Sequence, residues 1–209
     1  MQDGYHYSIA YLQTMDNPDD KIYRRGAPDT FDVAGLKRDL GRIKNGDEEI
    51  VSIPGFDHAK GDPEPDAFHV FRRSEHKIVI CEGLYLVHDA DGWEGIASLF
   101  DMTIFISSDV DMCIDRLKIR NKCIPGYTPE EIEFRCDAVD RVNANTVMRS
   151  INHADVVVES AAALVAAPEL EVGFSYGAAD EEEEDDDDEP VVFWWLNLHA
   201  KSLGIDFST

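Results

Sequence analysis

The chain has 209 residues, 44% of them hydrophobic and 30% charged, which suits one globular domain with a tail. Its formal net charge is −24, from 43 acidic and 19 basic residues, and no apolar run reaches the length of a membrane span. A membrane-spanning role is excluded on that ground, and the acidity argues against nucleic-acid binding through phosphate neutralisation. No basic stretch followed by an apolar one opens the sequence, so no secretory signal is read. The cysteines, Cys81, Cys113, Cys123 and Cys136, form no C-x-x-C pair. Buried free thiols in a reducing, cytoplasmic setting are expected, rather than zinc.

In chain order, "FDVAGLKRDLGRIKNG" places Val33, Leu36, Leu40 and Ile43 on one helical face, with Gly46 after the C-terminus. "EEIVSIPGF" predicts a short strand, and "GDPEPDAFHVFRRSEH" a polar loop or hairpin. "KIVICEGLYL" is a continuous apolar run, the pattern of a buried parallel strand. "GWEGIASLF" predicts a short helix and "DMTIFIS" another buried strand. A helix follows, capped by Ser108 or Asp109, with Val110, Cys113, Ile114 and Leu117 as its apolar stripe. Thr128, Pro129 and Glu131 spell a capping box for a helix running towards Asn152, and "ADVVVES" predicts a last strand. Alternating strands and helices imply an α/β domain over residues 1–160 with a mostly parallel sheet.

Residues 161–209 differ in character. Asp180 to Glu189 are ten consecutive acids, expected to form a disordered linker. A calcium site or a basic partner is the sharper alternative. "VVFWWLNL" beyond it could dock on the domain or bind a protein partner.

Several residues could carry chemistry. Asp3 opens "DGYHY", with Tyr5, His6 and Tyr7 beside it. Arg24 and Arg25 precede Gly26, and "PGFDHAKGD" places Asp57 and His58 at a strand end. Loops at strand ends are where α/β proteins bind ligands. A carboxylate there can act as a general base, and arginines can hold phosphate or carboxylate. Glu82 ends an apolar run, where it could reach a magnesium ion or its water. Arg116 and Arg120, four apart, share a helix face.

The series "DGYHY", "RRGAPDTFD", "PGFDHAKGDP", "IVICEGLYL", "RL…RN" and "T.EE…R.D..D..NA" resembles the P-loop small-molecule kinases of the phosphoribulokinase, uridine kinase and pantothenate kinase superfamily, above all its fungal and bacterial uridine kinase-like branch. The resemblance covers residues 1 to about 160. It implies Mg-ATP as cofactor and transfer of phosphate to a hydroxyl of a small metabolite. Asp3 would be the base, with Glu82 at the magnesium, directly or through water. Tyr5, Arg24, Arg25 and His58 would hold the acceptor, and Arg116 and Arg120 would be lid cations on the phosphates.

Two departures stand out. Uridine kinases have Phe-Asp-His where this chain has Arg25-Gly26-Ala27, which argues against uridine; the pantothenate kinase pattern is nearer. Family members also carry a strand, a G-x-x-x-x-G-K-[ST] loop, a helix and a second strand ahead of the acid matching Asp3, and the 209 residues contain no such loop. The expectation is an N-terminally truncated P-loop kinase domain, with impaired catalysis. A non-catalytic kinase-like binding protein or a gene-model fragment are the alternatives.

Overall fold

A computed structural model describes residues 2–57, 59–122 and 126–160. His58, Cys123, the acidic run and "VVFWWLNL" lie outside them.

A 3-10 turn, Gln2–Tyr5, leads into the short helices α1 (Ile9–Leu12) and α2 (Pro18–Tyr23). Helix α3 is Val33–Asn45, started by the Asp32 carboxylate, which accepts from the Gly35 N–H at 2.9 Å. Its apolar face carries Leu36 into a core with Tyr5, Phe31, Tyr85, Trp93 and Ile96. The polar atoms of this aromatic core are satisfied internally. The Trp93 indole donates to the Pro28 carbonyl at 3.1 Å, and the Tyr85 hydroxyl to the Gly26 carbonyl at 2.8 Å.

Strands β1 (Ile50–Asp57) and β2 (Asp62–Arg72) form an antiparallel hairpin, from Ile50 opposite Arg72 to Asp57 opposite Asp62. The register is irregular between Ile53 and Gly55, where Pro54 has no N–H to give to a ladder.

Three expected elements differ. "GDPEPDAFHVFRRSEH", read as a polar loop or hairpin, supplies the long strand β2, whose partner β1 gives it a ladder despite its polar, proline-containing start. Residues 77–83 form no strand, and Ile78, Val79 and Ile80 are 82%, 48% and 70% exposed. A parallel strand exists only through its neighbours, and among the described residues none pairs with this run. "GWEGIASLF" gives only a 3-10 turn, Ala97–Leu99, because Gly92 and Gly95 take φ of 92° and 82°, outside the helical region.

The rest follows the sequence closely. Strand β3 (Ile104–Ser107) pairs in parallel with β4 (Val156–Glu159). The pair is clasped at its start, where Asp155 accepts from the Thr103 N–H at 2.8 Å and from the Thr103 hydroxyl at 2.7 Å. Of its apolar side chains Phe105 is buried, whereas Ile104, Ile106 and Val156 to Val158 are exposed. Helix α4 (Val110–Asn121) is capped by Asp109. Helix α5 (Pro129–Arg135) has the full capping box between Thr128 and Glu131. A single π-helical stretch, Cys136–Asp140, joins α5 to α6 (Arg141–Arg149). Ile114, Ile132 and Cys136 form a second small core between α4 and this segment. Cys81, Cys113 and Cys136 are free thiols. Among the described residues, no helix is long and apolar enough to cross a membrane.

The N-terminal turn is held by close backbone approach. A Cβ at Gly4 would lie 2.1 Å from the Pro54 carbonyl oxygen, a backbone atom of β1 that cannot swing away. Gly4→Ala is therefore expected to cost about 1–3 kcal/mol, the usual range for overpacking. Gly41→Ala, in α3 with nothing within 4 Å of the added methyl, is expected to gain about 0.5–1 kcal/mol from helix propensity. Urea unfolding of the two variants checks the pair. Equal stability would mean that the turn does not sit against Pro54.

Candidate active site

The turn Gln2–Tyr5 is anchored at both ends of its first residue. The Gln2 N–H donates to the Glu82 carbonyl at 3.0 Å, and the Gln2 side-chain oxygen accepts from the Tyr85 N–H at 3.0 Å. Gly83 is required for this fit, since a Cβ there would lie 2.2 Å from that same side-chain oxygen. The residue next to Asp3 is thereby bonded to the Glu82 backbone, 80 positions further along the chain.

The Asp3 carboxylate makes no hydrogen bond or ion pair among the described residues. Its main-chain carbonyl accepts from the His6 N–H at 3.1 Å and lies 2.9 Å from His6 Nδ1. A carbonyl can only accept, so Nδ1 carries the imidazole proton and Nε2 keeps its lone pair. The ring is fixed by Phe31 and Phe56, with centroids 4.0 and 5.3 Å away, and a bridge pairs the His6 and Phe31 backbones. Burial lowers the His6 pKa below its ordinary value; the neighbouring Asp3 and Asp62 oppose that shift and Arg25 adds to it.

Arg25 lies against the same turn. Its guanidinium donates to the Tyr7 carbonyl at 3.1 Å, to the Gly61 carbonyl, and to Asp62 at 2.5 Å, and stands 5.9 Å from the Phe56 ring centre. Asp62 also accepts from the Ile9 N–H at 3.1 Å. Arg25 thus ties the hairpin to the N-terminal turn. The Arg25 carbonyl in turn accepts from Arg135 at 3.2 Å, which joins this region to the π-helical segment.

The other expected residues are placed differently. Tyr5 is 4% exposed, and its hydroxyl donates to the buried Asp39 at 3.2 Å, so it is a core residue instead of a wall for substrate. Burial, then Asp39, pushes that phenol far above its usual pKa. Arg24 is committed elsewhere: it grips Asp29 with two bonds of 2.7 Å and Asp20 with one of 2.6 Å. The paired Arg24 holds the Asp29 carboxyl well below the usual carboxylate range. Glu82 is exposed, with its carbonyl taken by Gln2. Arg116 and Arg120 lie on α4; Arg116 is half-buried and without an ion pair among the described residues, and Arg120 donates to Asn121 at 3.3 Å. His6 and Asp62 were not singled out as acceptor residues by sequence reasoning. The adjacency of His6 to Asp3 was visible, but its tautomer and its aromatic clamp depend on Phe31 and Phe56.

An open cleft of about 370 Å³ adjoins the turn, lined by Tyr7, Phe31, Asp29 and Lys37. That volume suits a small metabolite. It shares Phe31 with the His6 clamp, and Asp3 is not among its walls.

The family profile of "Phosphoribulokinase / Uridine kinase family" matches residues 10–165. The chain belongs to that family. It is 34% identical over 153 residues to the ATP-dependent kinase-like protein notR' of Aspergillus versicolor, covering 71% of this chain and 87% of that one. It is 33% identical over 157 residues to the protein YggC of Escherichia coli, covering 75% of this chain but only 61% of the relative's length. Among solved structures, a candidate fructose transport system kinase from Silicibacter sp. TM1040 superposes with a TM-score of 0.65 at 27% identity, over 75% of this chain and 72% of the other. The fold is thus the α/β fold of the P-loop kinases, with β3–β4 as its parallel pair.

The family implies a nucleotide and usually magnesium. The described residues do not fit that pair by themselves. No three His, Cys, Asp or Glu side chains among them converge as a metal site, and the 209 residues include no G-x-x-x-x-G-K-[ST] run.

The lowered His6 pKa makes stability pH-dependent. An unfolded histidine binds a proton near pH 6.5, whereas folded His6 resists it until lower pH, so the unfolded state takes up more protons in between. Stability is expected to fall as pH drops from 7.5 through 6.5 towards the folded pKa. His6→Phe, which keeps a ring between Phe31 and Phe56, is expected to flatten that slope. Urea melts at several pH values check this, and an unchanged slope would contradict the clamp.

Proposed function

We propose that this chain supplies the acceptor side of a small-molecule kinase, with Asp3 as the general base that takes the proton from the acceptor hydroxyl. The observation that carries the reading is the Asp3–His6 turn. Asp3, whose carboxylate has no hydrogen bond or ion pair among the described residues, sits in a turn whose main-chain carbonyl meets the clamped His6 imidazole, on a backbone fixed by Gly4 and Gly83, in a chain that belongs to the family. A carboxylate free of internal partners can meet a substrate hydroxyl, and the hydroxyl oxygen becomes nucleophilic as its proton passes to Asp3. Arg25 holds the hairpin against the turn and so positions the wall of the acceptor site. Arg116 and Arg120 on α4 are the cations that face phosphate in this reading, since phosphoryl transfer depends on charge stabilisation. His58 belongs to the acceptor pocket in the same reading. The acceptor is a small metabolite.

The nucleotide side is where this chain falls short in the proposal. Phosphate affinity in such kinases comes largely from a cradle of backbone N–H groups and a lysine. Without a run of that type, the 209 residues are expected to bind Mg-ATP weaker than about 1 mM, a free energy of only about 4 kcal/mol. Isothermal calorimetry showing micromolar affinity would overturn this part.

The base assignment has its own test. In a chimera carrying a relative's phosphate-loop segment ahead of Asp3, Asp3→Asn is expected to lower turnover about a hundredfold while nucleotide affinity stays nearly constant. If Asp3 only shapes a turn, asparagine serves as well, because both residues form such turns. Near-normal turnover would remove Asp3 from the chemistry.

A further inference from the structure

We propose that the cleft between the start of α3 and the Asp91–Gly92 loop is a second ligand site, separate from the Asp3–His6 turn, and that it takes a small aromatic monocarboxylate whose anion is held by Lys37. The inference goes beyond the kinase reading and does not depend on it.

Two sets of observations carry it. The first is shape. The cleft has a volume of about 370 Å³, and Met15, Phe31, Val33 and Ala34 give it apolar walls. Sites for small molecules are of this kind, about 300–1,000 Å³ and mostly apolar with a few polar groups. Tyr7 adds a second ring to the walls. It packs on Tyr11 with centroids 4.6 Å apart, and its hydroxyl makes no hydrogen bond among the described residues. An aromatic ligand body matches walls that carry two rings, because offset and edge-on ring contacts add to plain burial.

The second is charge. The other cations of α3 are committed: Arg38 and Arg42 pair with Asp39, Arg42 also with Glu48, and Lys44 with Asp101. Lys37, which lines the cleft, pairs with no carboxylate among the described residues. Its ammonium donates to the Gly92 carbonyl at 2.6 Å, and an ammonium carries further donors that stay available to a ligand. Asp29 shares the cleft but is already held by Arg24 and Lys21, and Asp91 lies 3.7 Å from His88. One available cation beside two carboxylates suits a ligand with a single negative charge. A phosphate monoester, with close to two, would meet Asp29 and Asp91 as like charges, and such juxtaposition rejects a ligand effectively.

The contact that Lys37 makes also supplies a reporter. The Gly92 carbonyl belongs to the same peptide unit as the Trp93 N–H, which donates to the Ala90 carbonyl at 3.0 Å. An anion on Lys37 is therefore felt at the Trp93 amide.

The test is binding to the full chain, labelled with 15N and followed by NMR. The probes are phenylacetate, its neutral counterpart phenylacetamide, acetate as the anion without a ring, and phenyl phosphate. Phenylacetate is expected to shift the amides of Tyr7, Lys37 and Trp93, and to bind at least about tenfold tighter than the other three, since hydrogen bonds to charged groups are the stronger ones. Lys37→Gln is expected to erase the preference for acid over amide, and Lys37→Arg to keep it. Ala34→Leu, on the α3 wall, is expected to weaken phenylacetate by crowding the cleft. The proposal is overturned if phenylacetamide binds as tightly as phenylacetate, if Lys37→Gln retains the preference, or if the largest shifts fall on Asp3 and His6. Near-normal turnover of the Asp3→Asn chimera would sink the kinase reading and spare this site.

Discussion

The arrangement of this molecule depends on one close fit, that of Gln2 between Gly83 and Tyr85. Two hydrogen bonds of 3.0 Å and the absence of a Cβ at Gly83 fasten the start of the chain to a loop some eighty residues away. Gly4 then lies flush on the Pro54 carbonyl. Terminal segments are ordinarily loose, because ordering each residue costs about 1–2 kcal/mol of backbone entropy. Here Gln2 is 1% exposed, so its bonds are shielded from water, and Tyr5 plugs the aromatic core behind it. Asp3 stands between these two anchors and has little freedom of its own.

Much of this was legible in the sequence, for physical reasons that differ by element. Helix α3 and the capping box of α5 are local: Asp32, Thr128 and Glu131 satisfy backbone groups within one turn, so their signals need no tertiary context. Strand β1 was legible as a short apolar run, but β2 was read as a loop or hairpin, because only its pairing with β1 makes that polar stretch a strand. The run "KIVICEG" reads as a strand by composition, yet strand identity lies in a ladder with neighbours, and none of the described residues supplies one. The family could be read from residues spaced over positions 1 to about 160, Asp3, Glu82 and Arg116 among them. Roles were harder. Tyr5 and Arg24 look like ligand contacts by position, but a phenol next to Asp39 and a guanidinium next to Asp29 are satisfied from within. His6 shows the opposite case. Its neighbours Phe31 and Phe56 are distant in sequence, and only their packing turns a commonplace histidine into an imidazole of fixed tautomer.

The balance of charge gives the site its character. The chain is strongly acidic, yet the pairing around the N-terminal turn is close to stoichiometric, with Asp62 matched to Arg25, Asp29 to Arg24 and Lys21, and Asp57 to Lys60. Exposed pairs such as that of Lys60 contribute little to stability, about 0–1 kcal/mol each. Among the groups that keep no ion pair near the turn are the Asp3 carboxylate and Lys37, which donates to the Gly92 carbonyl. On α4, Arg116 has no ion pair among the described residues. At the opposite extreme, Ile78, Ile80, Ile104 and Ile106 expose apolar surface on segments whose sequences read as sheet interior.

The central claim is that the first residues form a fixed wall of the site. Amide hydrogen exchange measures it directly, at Gln2 and Tyr85, the two N–H groups of the clasp. If the account holds, both exchange far more slowly than an unstructured chain, with similar protection, because one opening event exposes both. Exchange of the Gln2 amide at the unstructured rate, with Tyr85 still protected or not, would show a loose terminus and remove the basis for placing Asp3 at the chemistry.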